Sequence, residues 1–139
     1  MVDLRETARR HACTVCSGMA LQRREVDATL AERVLATAAQ KSGGRLLLYG
    51  GQTATPLFYG YKAMRTFTND FDFLVREEAL EEVVDALAPV FDSEHGVFFG
   101  YIEGVLFSLT AGRIHDWPVP DDLFSAARRI SCDGHPLFL

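Results

Sequence analysis

Between Leu46 and Val75 the chain reads LLLYGGQTATPLFYGYKAMRTFTNDFDFLV, and its last six residues constrain the fold more than any other stretch. In DFDFLV, strict alternation argues for a β-strand with Phe71 and Phe73 on one face and Asp70 and Asp72 on the other. Carboxylates are costly to desolvate, so two of them on one strand face need a compensating partner. Strand rise puts the pair about 6 to 7 Å apart, a spacing that suits hard oxygen ligands around one or two Mg²⁺ ions. Upstream, the apolar run Leu46–Tyr49 reads as a short buried strand entering Gly50-Gly51, with a helix expected from about Thr53 to Gly60. A strand, a glycine pair and a helix start together expose backbone N–H groups at the positive end of a helix dipole, which makes a phosphate cradle.

The remaining elements give an α/β (α+β) chain with a small mixed β-sheet flanked by helices. Residues 1–23 form an N-terminal extension of uncertain structure, in which DLRETARRHA suits a short helix. Arg24–Gln40 carries Val26, Leu30, Val34, Leu35 and Ala38 at helical spacing, closed by Gly43 or Gly44. REEALEEVVDALAPVF patterns as an amphipathic helix with Leu80, Val83, Val84 and Leu87 inward. GVFFGYI and VLFSLTA read as a hairpin turning at Glu103-Gly104. Asp121 or Asp122 caps a short helix, and RISCDGHPLFL turns at Asp133-Gly134 between two strand-like segments. The 139 residues suit a single domain, 1–139.

The formal charge of -5 argues against a general electrostatic grip on nucleic acid, although a metal ion can reverse the local sign for a nucleotide. No apolar run approaches the roughly 20 residues that span a bilayer, and three cysteines fit a reducing cytoplasm. His11, Cys13 and Cys16 could form a zinc site with Cys132 and His135 only if the two ends of the chain meet; free cysteines are the simpler reading. His95 and His115 have no evident catalytic partner in the sequence, and Trp117-Pro118 suits a loop packed on the core.

GGQTATPLFYGYKAMRTFTNDFDFLV resembles the signature of the nucleotidyltransferase superfamily, the polymerase-beta-like fold, and most of all its minimal or AbiEii-type group, which includes toxins of bacterial toxin–antitoxin systems. The resemblance rests on Gly50, Gly51, Ala54, Arg65, Thr68, Asp70 and Asp72 and extends more weakly over residues 30–139. It implies that Gly50 and Gly51 hold triphosphate oxygens, that Asp70 and Asp72 bind Mg²⁺ in a two-metal site, and that Arg65 and Thr68 support the nucleotide. The implied reaction moves a nucleoside monophosphate from a nucleoside triphosphate to a hydroxyl on a small molecule, protein or RNA. Relatives add a third carboxylate in a strand that corresponds here to GVLFSL, which places Ser108 at that position. Serine cannot serve as a carboxylate base, and Glu103, expected at the hairpin tip, is poorly placed to substitute for it. The alternative is therefore a catalytically degenerate module that acts in partner binding or regulation; a homo-oligomer or a partner protein that supplies the missing groups would instead keep the first reading.

Overall fold

The computed structural model describes residues 2–50, 70–114, 117–120, 122–132 and 134–138. Ten strands are described, eight of them in one mixed sheet ordered β1-β4-β5-β6-β3-β2-β10-β9. In chain order these are β1 (Val15–Cys16), β2 (Leu46–Tyr49), β3 (Phe71–Val75), β4 (Val90–Asp92), β5 (Val97–Ile102), β6 (Val105–Ala111), β9 (Arg129–Cys132) and β10 (His135–Phe138). A separate two-stranded ribbon joins β7 (Arg113–Ile114) to β8 (Trp117–Pro118). The helices are α1 (Leu4–Arg10), α2 (Ala28–Lys41), α3 (Leu80–Leu87) and α4 (Leu123–Ala126).

The expected α/β architecture is present, with two changes of boundary. Helix α2 starts at Ala28 rather than Arg24, because the Asp27 carboxylate accepts from the Leu30 amide at 2.8 Å and caps it there. Val26 lies before the cap and is fully buried. The amphipathic segment after β3 divides into a 3₁₀ turn at Glu77–Ala79, helix α3, and then strand β4. Ala88 takes φ 49° at the end of α3, and Pro89 cannot continue the helix, so Val90–Asp92 extends and pairs with β5.

Sheet register fixes which residues share a face. In the parallel β3–β6 pair Asp72 is opposite Ser108, and in the antiparallel β2–β3 pair Tyr49 is opposite Asp72. Phe99 of β5 is opposite Ser108. Tyr49, Asp72, Ser108 and Phe99 thus form one row across four strands. The alternate residues Phe71, Phe73, Phe107, Leu109 and Phe98 are fully buried with Leu35, Leu46 and Leu80 in the main core. A smaller cluster of Leu47, Leu74 and Phe124 closes part of the opposite face under α4. What is left of that face is the row just described.

The β5–β6 hairpin turns at the expected place. Glu103 and Gly104 have φ of 50° and 75°, the left-handed pair of a two-residue type I′ turn whose twist matches the flanking strands. Arg24 donates to the Glu103 carbonyl at 2.8 Å, and Arg33 pairs with the Glu103 carboxylate at 3.3 Å.

Candidate functional site

Asp70, Asp72, Tyr49, Ser108, Thr110, Phe99 and His95 line one cleft of about 910 Å³. Backbone alternation delivers the two aspartates there, since Phe71 and Phe73 are held on the other face by the core. Both aspartates are only half-buried, so they meet the cleft while keeping some contact with solvent. β2 ends beside them: Tyr49 is the partner of Asp72, and the next residue, Gly50, adopts φ 98°, a conformation that favours glycine. Gly50 therefore directly follows the residue that pairs with Asp72. Gly51, Arg65 and Thr68, and the helix expected after the glycines, lie outside the described residues.

Ser108 occupies the position expected of it, on the same face as Asp72, and its Oγ donates to Asp72 Oδ1 at 2.7 Å. Among the described residues no three His, Cys, Asp or Glu side chains gather as a metal cluster. The hydroxyl beside Asp72 is that of Ser108. Glu103 does not supply a third acid: the residue sits at the hairpin tip in its ion pair with Arg33, outside the cleft lining.

Tyr49 is not legible in the sequence as a site residue, because it ends an apolar run that reads as plain core. Burial, followed by the charge of Asp72, pushes its phenol up to about 12, while a hydrogen bond with Ser108 acts in the other direction. Its ring is a protonated, polar-tipped wall beside the carboxylates at any ordinary pH.

His95 requires a correction. It has a partner: Nδ1 lies 2.8 Å from Oδ2 of Asp92, whose side chain is fully buried. Burial alone would push the Asp92 carboxyl up, but hydrogen bonds from the His95 ring and from the Glu94 and His95 amides outweigh it and hold it below the usual range. The hydrogen bond to Asp92, then its charge, raises the pKa of His95. The sequence hides the pair because β4 reads there as the end of a helix, where Asp92 would not face the β5 loop.

Three arginines, Arg5, Arg23 and Arg113, also line the cleft. Among the described residues none of them forms an ion pair. Asp3, Asp70 and Asp72 line the same cleft, so in a chain of net charge -5 it presents both signs of charge.

The zinc reading is not supported by the topology. β1 borders the sheet at one end and the β9–β10 hairpin at the other, on the order of 30 Å apart by strand spacing. Cys13 packs against the core, where burial and then Asp85 push its thiol up, and the pair Cys13 and Cys16 are free thiols. His11 holds α1 to α3 through Asp85 at 2.6 Å. Trp117 does not pack on the core: it stands 77% exposed on the β7–β8 ribbon. His115 lies outside the described residues.

The mixed sheet flanked by helices is a nucleotidyltransferase-like fold. The chain is similar to a solved structure from Thermotoga maritima described as a "putative nucleotidyltransferase", with a TM-score of 0.56, 17% identity, and coverage of 81% of this chain and 80% of that one. No protein-family model matches the sequence, and no curated protein does. Among the described residues no helix is long and apolar enough to cross a membrane.

Proposed function

We propose that the cleft binds a nucleoside triphosphate with Mg²⁺ and that the protein transfers a nucleoside monophosphate to a hydroxyl acceptor, releasing pyrophosphate. The observation that carries this reading is that Asp72, on the open face of β3, and Asp70, just before that strand, line one cleft beside the end of β2 at Gly50. Two half-buried carboxylates on one wall of an open cleft form an all-oxygen donor set that fits a hard divalent cation. Asp70 and Asp72 would hold it, and when bound the ion would neutralise charge at the attacking and leaving oxygens.

The chain's own groups have separate tasks. Gly50 and Gly51 would offer amides to the phosphates, and Arg65 and Thr68 would support the nucleotide. Arg5, Arg23 and Arg113 add positive charge to the same cleft. Ser108 orients Asp72 through its hydroxyl. The Gly50-Gly51 pair and the Arg-x-x-Thr-x-Asp-x-Asp spacing support a place in the minimal or AbiEii-type group, and hence a toxin–antitoxin setting in the cytoplasm. A small molecule, protein or RNA would supply the hydroxyl.

One observation favours a second reading. Ser108 stands in place of the third acid, which suits a degenerate module that binds nucleotide or a partner without turnover. Calorimetric titration with Mg²⁺ and each of the four common triphosphates separates these from a fold without a nucleotide site. Magnesium-dependent binding that disappears in Asp70→Asn/Asp72→Asn supports the site, and no binding to any triphosphate refutes it.

A further inference from the structure

Resting on that reading, we infer that His95 is the base that takes the proton from the acceptor hydroxyl, with Asp92 as its positioning residue. The cleft has a direction. Tyr49, with Gly50 next in sequence, marks its β2 end, the row Tyr49–Asp72–Ser108–Phe99 crosses it, and the His95 ring stands edge-on to Phe99 at 6.3 Å on the β5 side. In phosphoryl-type transfer the attacking and leaving oxygens lie roughly in line. Phosphates held at the glycine turn therefore direct the pyrophosphate toward β2 and bring the acceptor in from β5, where His95 stands.

The other titratable groups of the cleft fail as bases. Asp70 and Asp72 serve the cation. Asp3 caps α1 by accepting from the Arg5 and Glu6 amides at 3.0 and 3.3 Å. Tyr49 is held at about 12, and Arg5, Arg23 and Arg113 have no lone pair to offer. His95 has the right form: Nδ1–H donates to the buried Asp92 carboxylate, which leaves Nε2 as the acceptor, and the side chain is 58% exposed. The Asp92 carboxylate also stabilises the imidazolium once formed, as in a hydrolase triad. In the step, the acceptor O–H proton passes to Nε2 and the acceptor oxygen forms a bond to the α-phosphorus. The bond from that phosphorus to the α–β bridging oxygen breaks, pyrophosphate leaves with the electron pair, and His95 returns its proton to solvent.

The test uses the full chain in two parts. In metal-free protein, NMR titration of the His95 imidazole should show a midpoint that falls in Asp92→Asn, since the buried charge that favours imidazolium is gone; Glu94 is the other charge acting on the ring, and Arg5, Arg23 and Arg113 line the same cleft. With a triphosphate that binds, pyrophosphate release is measured with water and with glycerol as acceptors. His95→Gln should lose about 10²–10⁴-fold in rate, the range general-base assistance supplies. Its triphosphate affinity should stay within about twofold, because general-base assistance acts on the transition state rather than on ground-state binding. The acid limb of the pH profile should vanish with it, move to lower pH in Asp92→Asn, and added imidazole should restore part of the rate to His95→Gly. A His95→Gln protein that keeps both rate and limb overturns the proposal, and so does a wild type that binds triphosphate but releases no pyrophosphate to either acceptor. Absence of triphosphate binding is a separate result, which removes the nucleotide site itself.

Discussion

Ser108 and Asp72 face each other across the parallel β3–β6 ladder, and the serine hydroxyl donates to the aspartate at 2.7 Å. A hydroxyl at this position supplies a donor where an acid would supply charge. It fixes one Asp72 oxygen. Hydrogen bonds to charged groups contribute about 1.5–3 kcal/mol, so the contact is part of how the site is held.

Substitution at Ser108 should therefore separate stability from metal affinity. Ser108→Ala loses the hydrogen bond and should lower unfolding free energy by about 1–3 kcal/mol, with weaker Mg²⁺ binding from a less constrained Asp72. Ser108→Asp should be less stable than wild type without metal, because three carboxylates then crowd one wall. Saturating Mg²⁺ should reverse that order, since a ligand that binds the folded state stabilises it. Urea melts of the three proteins with and without Mg²⁺ measure this, and a Ser108→Asp protein indifferent to Mg²⁺ refutes the metal wall.

The double substitution Asp70→Asn/Asp72→Asn should abolish Mg²⁺-dependent triphosphate binding while leaving the fold as stable as wild type or more so. Two like charges repel when no metal is bound, and the amide introduced by Asp72→Asn retains an oxygen that can accept from Ser108. Thermal unfolding and calorimetry on the same preparation read the two effects. Loss of cooperative unfolding would mean that the carboxylates hold the structure together instead of a ligand.

Much of this is legible in the sequence. Alternation in DFDFLV sets the faces of Phe71 and Phe73 against Asp70 and Asp72, and Glu103-Gly104 sets the hairpin and thus the facing of Ser108. Period-2 patterns carry this information because one face must be buried. Tyr49 is hidden, since a buried run gives no periodicity to mark which residue faces a cleft. Asp92 and His95 are hidden for another reason. The helical pattern of Leu80–Leu87 runs into Pro89-Val90-Phe91 without a polar break, and the strand there exists only because it pairs with β5 on one side and β1 on the other.

The Asp92–His95 pair sets a pH window. The Asp92 carboxyl is lowered in the folded state, so its contribution is present above its unfolded value and is lost as pH falls through the folded one. His95 is raised, so its contribution is complete below its unfolded value and is lost as pH rises through the folded one. Stability should thus peak on the mildly acidic side of neutrality, between the two titrations. Denaturant midpoints from about pH 3 to about pH 9 in wild type and His95→Gln test this, the range being set by the ordinary carboxylate and imidazole values extended outward. The variant should lose the decline above the imidazole range and keep part of the acid-side loss, since two backbone amides still bind Asp92.

Gly100 controls how closely β5 and β6 approach on the core side. It faces Phe107, and a Cβ built there would meet the Phe107 ring at 2.5 Å, closer than such atoms come. Phe107 cannot easily give way: it is fully buried, and its ring packs at 6.1 Å from that of Phe73. Gly100→Ala should therefore destabilise the fold by about 1–3 kcal/mol, as overpacking does. Because Ser108 follows Phe107 on β6, a displaced Phe107 should also loosen the contact to Asp72 and weaken Mg²⁺ binding without any change in the cleft's own side chains. Phe107→Leu alone leaves a void, yet combined with Gly100→Ala the shorter side chain makes room for the methyl group. The two changes should be non-additive, with the double variant more stable than the sum of the singles by at least about 0.5 kcal/mol. Additive losses in a double-mutant cycle would show that the strand relaxes at Gly100 itself and that the ring does not set the spacing.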